Sequence, residues 1–191
     1  MKEIILASAS PRRIELLQKI GLRFRAEASD YREGKNLALK PHELVKYLSL
    51  QKARAVAAKH PDALVIAADT IGYLEGKVLG KPETEERAQV MLAAISGKTH
   101  AVISGLTIMD KGQARTLTRA VETKVTMKKL TKNEIASYVR TGEPLDKAGA
   151  YAIQGLGAIL VKEIHGDYYN VVGLPLSVLA ASLKRFGIRI L

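Results

Sequence analysis

The chain of 191 residues contains no cysteine and no tryptophan, and it has only two phenylalanines. The lack of cysteine excludes a disulfide framework, a thiol nucleophile and a cysteine-ligated zinc site. The four histidines, His42, His60, His100 and His165, are too far apart in the sequence to form a local metal-binding motif. A bound metal ion would therefore need oxygen ligands.

Long apolar runs are also absent from the sequence. A membrane-spanning helix needs about 18 consecutive apolar residues or more, and no such stretch occurs. The short apolar run at residues 1–6 contains the acidic Glu3, which is not typical of a secretory signal peptide. We therefore expect a cytoplasmic protein with no membrane partner.

Acidic residues are in the minority, with 19 Asp and Glu against 30 Lys and Arg, so the formal net charge is +11. The basic residues are spread along the chain, which is compatible with a nucleic acid, a membrane surface or a polyanionic small substrate as partner, or with a merely soluble surface. Tyr168 and Tyr169 are the only adjacent aromatic pair. Because single strands are usually bound by grouped aromatic residues, this scarcity disfavours nucleic acid.

The order of apolar and amphipathic segments predicts an α/β or α+β fold with a mixed sheet. Residues 63–68 form a continuous apolar run, which is typical of a strand that is buried on both faces of a parallel sheet. Residues 158–164 and 168–172 are predicted as two further strands on either side of a turn at residues 165–167. No internal repeat or low-complexity segment is visible.

Residues 8–13 place hydroxyl groups and two guanidinium groups where a short strand turns into a helix. Ser10 is in position to cap this helix, and Pro11 is suited to its first position. The N–H groups and dipole at a helix start favour an anion, and Arg12 and Arg13 offer the bidentate geometry that phosphate accepts. An ordinary Ser-Pro helix start with surface arginines is the alternative.

Asp69 follows the buried run, at the sheet edge where open α/β sheets usually bind ligands. A carboxylate there can hold a hard cation or activate water, whereas a capping role toward loop N–H groups is the alternative. Glu33 lies in a charged loop and can equally be a solvated side chain. If Asp69 and Glu33 face one site, they can hold Mg²⁺ through oxygen and water ligands.

Three further segments offer groups to a polyanion or a base. Lys52 lies within a predicted helix, and Lys81 lies in the rigid turn Gly80-Lys81-Pro82. The small-residue-rich segment 147–157 contains Gln154, whose amide has both a donor and an acceptor and so suits the edge of a base. The alternative for Gln154 is a tightly packed bend in which it satisfies the backbone. His100 and His165 are interpreted as structural.

These residues together resemble the Maf family of nucleotide pyrophosphatases, formerly described as septum-formation inhibitors, over nearly the whole chain. The motifs that carry the resemblance are Leu6-Ala7-Ser8-Ala9-Ser10-Pro11-Arg12-Arg13, Glu33, Gln51-Lys52-Ala53-Arg54, Ala68-Asp69-Thr70, Gly80-Lys81-Pro82, Ser96-Gly97-Lys98-Thr99-His100, Gly142-Glu143-Pro144 to Gly149, Ile153-Gln154-Gly155 and Asn170-Val171-Val172-Gly173-Leu174-Pro175. Met127 is a small departure, since relatives often have an aromatic residue there.

The resemblance implies a hydrolase that cleaves a nucleoside triphosphate between its α- and β-phosphates, which gives a nucleoside monophosphate and pyrophosphate. It implies one domain over residues 1–191, with an inosine triphosphatase-like α/β fold of two lobes around one active cleft. The implied cofactor is a divalent metal cation, Mg²⁺ or Mn²⁺. The oligomeric state, including a homodimer, is left open.

The resemblance also implies a role for each candidate residue. Asp69 would activate water and, with Glu33, hold the metal ion. The implied phosphate-binding residues are Ser8, Arg13, Lys52 and Lys81. The specificity positions are Arg12, Thr70 and Gln154, and this trio is similar to the branch that acts on dTTP and UTP. The alternatives are the sister branch, which prefers 7-methyl-GTP, and a regulator of cell division that acts by binding a partner or nucleic acid.

Overall fold

The computed structural model describes residues 2–32 and 37–191. The helices are α1 (Pro11–Lys19), α2 (Pro41–Lys59), α3 (Glu85–Ile95), α4 (Lys132–Val139), α5 (Tyr168–Val172) and α6 (Leu176–Lys184). The strands are β1 (Ile4–Leu6), β2 (Arg25–Ala26), β3 (Leu64–Leu74), β4 (Lys77–Leu79), β5 (Thr99–Asp110), β6 (Arg115–Met127) and β7 (Val161–His165). Short 3₁₀ segments cover Glu143–Asp146, Ala148–Ala150 and Gly155–Leu160.

Within the described residues, seven strands form one mixed sheet in the order β2-β1-β3-β5-β6-β7, and β4 pairs with β3. Strand β1 is parallel to both β2 and β3, and its Ile5 is aligned with Val65 of β3. Strand β4 is antiparallel to β3, and β7 is antiparallel to β6. A mixed sheet combined with helices confirms the fold class predicted from the sequence.

The chain divides into two compact units, the first of which comprises Met1–Asp69, Ser104–Val121 and Gly173–Leu191. In this unit, α2 packs on the sheet through a buried apolar cluster: Ile5, Ala7, Ala53, Val56, Ala57, Ala63, Val65, Ala67 and Met109. Five of these nine side chains are alanines, so the helix lies close to β1 and β3. Gly105 of β5 meets the same helix, because a Cβ atom there would lie 2.0 Å from the Val45 carbonyl oxygen.

The second unit comprises Thr70–Ile103 and Glu122–Val172. Helices α3 and α4 pack together in it and bury Leu92, Ile95 and Val139. Helix α4 begins with a capping box, in which the Thr131 side chain accepts from the Glu134 N–H and the Glu134 carboxylate accepts from the Thr131 N–H. The prediction of a single domain with one cleft stays a prediction.

The predicted strand at residues 168–172 is wrong, because this segment is the helix α5. The Asp167 side chain accepts hydrogen bonds from the Tyr169 and Asn170 N–H groups, at 2.8 and 3.3 Å, and so satisfies the first turn of a helix. This cap outweighs the strand preference of the tyrosines and valines. The strand predicted at 158–164 is shorter, since Gly155–Leu160 is a 3₁₀ helix and β7 begins at Val161.

In the part of the chain that the structure describes, no helix combines the length and the apolar composition needed to cross a membrane.

His100 lies buried in the second unit, 2% exposed, with its Nε2 atom 2.9 Å from the Tyr151 hydroxyl. Its Nδ1 atom has no hydrogen-bond partner among the described residues. Burial lowers the pKa of His100 to about 4, so the ring is neutral in the folded protein at neutral pH. This environment agrees with a structural role for the histidine.

The protein should lose stability in mild acid because of His100. The unfolded chain takes up a proton near pH 6.5 and the folded chain only near pH 4, so the loss starts below about pH 6.5 and reaches about 2 kcal/mol at about pH 5. Urea unfolding of the wild type and of His100→Gln at about pH 7.5 and about pH 5 measures this contribution. The same change in unfolding free energy in both proteins would contradict it.

Candidate functional site

The predicted anion-binding turn lies between β1 and α1. The Ala7 N–H donates to the Ile66 carbonyl at 2.7 Å, and the Ser10 N–H donates to the Ser8 hydroxyl at 3.2 Å. Ser10 is at the N-cap position and Pro11 begins the helix, as predicted, but the Ser10 side chain makes no capping bond to any described residue. The hydroxyl that closes the turn thus belongs to Ser8, a residue that is 8% exposed.

Arg13 connects this turn to a distant segment of the same unit. Its Nε atom donates to the Gly173 carbonyl at 2.9 Å, and its Nη1 atom donates to the Ser8 hydroxyl at 3.4 Å. Burial lowers the pKa of Arg13, the charge of Asp69 raises it, and the neighbouring charge of Arg12 lowers it. The guanidinium group is therefore held in place within electrostatic reach of the Asp69 carboxylate.

Asp69 lies in β3, directly after the buried alanines Ala67 and Ala68. Its carboxylate forms an ion pair with the Lys52 ammonium group of α2, and the two side chains are 11% and 19% exposed. The close packing of α2 on the sheet brings Lys52 to this place. Arg12, Arg13 and Lys52 together exceed the single negative charge of Asp69, so this part of the first unit is suited to an anion.

In the second unit, Lys81 is exposed and forms no ion pair with any described residue. Its loop is fixed by backbone hydrogen bonds at both ends. The Gly149 N–H donates to the Gly80 carbonyl at 3.1 Å, and the Glu83 N–H donates to the Leu145 carbonyl at 3.2 Å. A loop that is held at both ends and carries an ammonium group with no carboxylate partner among the described residues is suited to a phosphate.

Gln154 lies half-buried just before the 3₁₀ segment Gly155–Leu160. Its side-chain amide makes no hydrogen bond to any residue in the described ranges 2–32 and 37–191. The interpretation of Gln154 as a group that satisfies the backbone of a packed bend is therefore not supported. Its donor and its acceptor are both available to a ligand.

The structure places the predicted site residues in two groups. Ser8, Arg12, Arg13, Lys52 and Asp69 belong to the first unit, whereas Thr70, Lys81 and Gln154 belong to the second. Thr70 follows Asp69 directly in the chain. Glu33 lies outside the described residues, so its role stays a prediction.

The described residues contain no group of three or more His, Asp or Glu side chains that could enclose a metal ion. They therefore do not form an all-protein cage of the kind that Ca²⁺ or Zn²⁺ often occupies. Mg²⁺ bound to nucleotides commonly uses only one or two carboxylates together with phosphate oxygens and water. Asp69 fits that smaller requirement.

Three residues with ordered polar contacts in these regions had no role in the sequence-based prediction. Gly173 accepts from Arg13 through its backbone, which no side-chain pattern reveals. Tyr138 and Glu143 hydrogen-bond to each other at 2.8 Å and contact the backbone around Gln154. The motif Gly142-Glu143-Pro144, which is part of the resemblance, was the available signal for Glu143.

The fold is similar to solved structures of two proteins. A HAM1 protein from Coxiella burnetii superposes with a TM-score of 0.56 at 18% sequence identity, covering 97% of this chain and all of that one. The Ham1 protein of Staphylococcus aureus gives a TM-score of 0.54 at 16% identity, again covering 97% of this chain and all of that one. At this identity the likeness concerns the fold, and it confirms the expected class.

Sequence comparison finds much closer relatives. A protein of Methanococcoides burtonii is 49% identical over all of this chain and 98% of its own length. A protein of Moorella thermoacetica is 50% identical over 98% of this chain and 97% of its own. Both are named dTTP/UTP pyrophosphatase. The model of the Maf-like protein family matches residues 3–186, and with these relatives it shows that the chain belongs to the Maf-like protein family.

Proposed function

We propose that this chain hydrolyses dTTP and UTP to the nucleoside monophosphate and pyrophosphate, and so removes nucleotides from the cellular pool. The observation that carries the proposal is the mostly buried ion pair of Lys52 and Asp69, which lies within electrostatic reach of Arg13. A carboxylate surrounded by cations is suited to both halves of such a reaction, since the cations attract the triphosphate and the carboxylate accepts a proton. Relatives with this name at about half identity support the choice of substrate.

In the proposed reaction, the oxygen of a water molecule forms a new bond to the α-phosphorus. The anhydride bond between the α- and β-phosphates breaks, and pyrophosphate leaves. Asp69 takes the proton of the attacking water, which is the work of a general base. Lys52 holds the carboxylate of Asp69 and can also contact a phosphate. Arg13, with its place fixed by Gly173 and Ser8, compensates negative charge on the phosphates.

We propose a divalent cation, Mg²⁺ or Mn²⁺, as cofactor, with Asp69 and Glu33 as its protein ligands. Bound there, the ion would neutralise part of the negative charge of the triphosphate. A binding mode with few protein ligands agrees with the donor set of the described residues.

The cytoplasm, where nucleoside triphosphates are made and used, is the compartment that this function implies.

We assign recognition of the nucleobase to a second set of residues: Arg12, Thr70 and Gln154. The Gln154 amide can donate to a pyrimidine carbonyl and accept from the ring N3–H, and it has no competing partner among the described residues. Lys81 instead meets a phosphate, which every nucleoside triphosphate carries. Phosphate affinity and base selectivity thus depend on different side chains.

With Mg²⁺ or Mn²⁺, the purified protein should release pyrophosphate from dTTP and UTP in preference to other triphosphates. A screen of canonical and modified triphosphates, 7-methyl-GTP included, measures pyrophosphate and orthophosphate separately. Orthophosphate as the first product would contradict the proposal, and so would a preference for 7-methyl-GTP.

Treatment with EDTA should abolish the release of pyrophosphate, and full activity after chelation would contradict the metal assignment.

Asp69→Asn should lower kcat by about a hundredfold or more, because the amide cannot accept the proton of the attacking water. Steady-state pyrophosphate release measures the loss. Asp110→Asn is a matched control, since Asp110 is a buried carboxylate of the same unit that pairs with Lys2 at 2.7 Å. Both variants lose the ion pair of a buried carboxylate, so both are expected to lose stability, but only Asp69→Asn should lose turnover. Near-normal kcat in Asp69→Asn would leave Asp69 with a structural role.

Gln154→Ala should change the ratio of kcat/KM for dTTP over GTP, with a loss of about 1–3 kcal/mol in discrimination. Lys81→Ala should weaken both substrates by similar factors, because the lysine meets a group that both share. Lys77→Ala removes an exposed lysine from the nearby strand β4 and controls for the general loss of positive charge. An unchanged ratio in Gln154→Ala would show that other residues bind the base.

A further inference from the structure

We propose that Tyr138 and Glu143 are positioning residues for base selectivity, because they fasten both ends of the segment that carries Gln154. The inference rests on the proposed function. It gives a role in that function to two residues that are not among the proposed phosphate-binding residues. The segment is residues 152–157, and it is called the Gln154 loop below.

Tyr138 fastens the first end of the Gln154 loop. It lies in α4, and it is 6% exposed. Its hydroxyl accepts a hydrogen bond from the Ala152 N–H at 3.1 Å and donates to the Glu143 carboxylate at 2.8 Å. The hydroxyl therefore uses its donor and an acceptor at once, which fixes its orientation.

Glu143 fastens the other end. Its Oε2 atom accepts from the Leu156 N–H at 3.1 Å, and its Oε1 atom accepts from the Gly157 N–H at 2.9 Å. Hydrogen bonds to an ionised acceptor are stronger than those between neutral groups. Gln154 thus lies between two backbone anchors that converge on one Tyr–Glu pair.

The glycines of the loop permit this close approach. Gly155 has a φ of +77°, and a Cβ atom there would lie 2.7 Å from Oε2 of Glu143. A Cβ atom on Gly157 would lie 2.3 Å from the Ala152 carbonyl oxygen and 2.5 Å from the Tyr138 hydroxyl. A larger residue at position 157 would collide with the Ala152 backbone, and one at position 155 would be strained by the positive φ, so this conformation of the loop requires both glycines.

The position of the Gln154 amide depends on these anchors, because its side chain has no hydrogen bond of its own within the described residues. The Lys81 loop is fixed differently, through backbone bonds of Gly80 and Glu83 to residues 149 and 145. Weakening the Tyr138–Glu143 pair should therefore disturb recognition of the base more than recognition of the phosphates. A side chain of merely structural importance would affect both alike.

The test uses Glu143→Gln and Tyr138→Phe, each of which keeps the shape of the side chain and removes hydrogen bonds. We expect the ratio of kcat/KM for dTTP over GTP to fall about five- to tenfold in both variants. In a Gln154→Ala background, Glu143→Gln should have no further effect on this ratio, since it acts through Gln154. Independent, multiplying effects on the ratio would overturn the inference.

The matched control is Glu134→Gln, which also removes a carboxylate that accepts a backbone N–H in α4, at the other end of the helix. It should leave the ratio unchanged even if it lowers the melting temperature. Equal losses on dTTP and GTP in Glu143→Gln, with an unchanged ratio, would make Glu143 a purely structural residue and overturn the inference.

Amide hydrogen exchange tests the fastening without any turnover. In Glu143→Gln the Leu156 and Gly157 amides should exchange about tenfold faster or more, and unchanged exchange would overturn the inference. A wild-type protein that does not cleave dTTP would overturn the proposed function and the selectivity role with it. Faster exchange in Glu143→Gln, combined with a wild-type ratio of kcat/KM for dTTP over GTP in Glu143→Gln and Tyr138→Phe, would overturn the selectivity role alone.

Discussion

The ion pair of Lys52 and Asp69 is the interaction on which the rest of the proposed site depends. It exists because α2 lies close to β1 and β3, and that closeness requires the alanines of the shared core and the glycine at position 105. A charged pair that is mostly buried is costly unless both groups are satisfied, so the packing and the pair constrain each other. The same packing places Asp69, the candidate general base, beside Lys52, a candidate phosphate-binding residue.

In the second unit, hydrogen bonds to the backbone fix the two loops that carry Lys81 and Gln154. The loop that carries Lys81 is held by backbone hydrogen bonds of Gly80 and Glu83, whereas Gln154 lies between anchors that converge on Tyr138 and Glu143. A reactive group needs a fixed electrostatic surrounding, and a selective group needs a fixed position.

Much of the fold and of the first group of residues could be predicted from the sequence. The buried run that leads into Asp69 and the Ser-Pro helix start are local patterns, and both are present in the structure. The expected end of the strand at Asp69 is wrong, because β3 continues through the alternating residues to Leu74 and Asp69 lies within it. Helix α5 was missed because its cap, Asp167, outweighs a segment rich in tyrosine and valine. The contacts of Gly173 and Glu143 join residues far apart in the chain, so the motif Gly142-Glu143-Pro144 could mark Glu143 but not show what it binds.

In the proposed reaction Lys52 supports turnover through Asp69 and also binds phosphate, and a double-mutant cycle separates these two roles. The cycle combines Lys52→Met with Asp69→Asn and measures kcat and KM for dTTP in all four proteins. We expect the double variant to lose about as much kcat as Asp69→Asn alone, while Lys52→Met raises KM in both backgrounds. Losses in kcat that multiply would contradict it, because the two residues would then act independently.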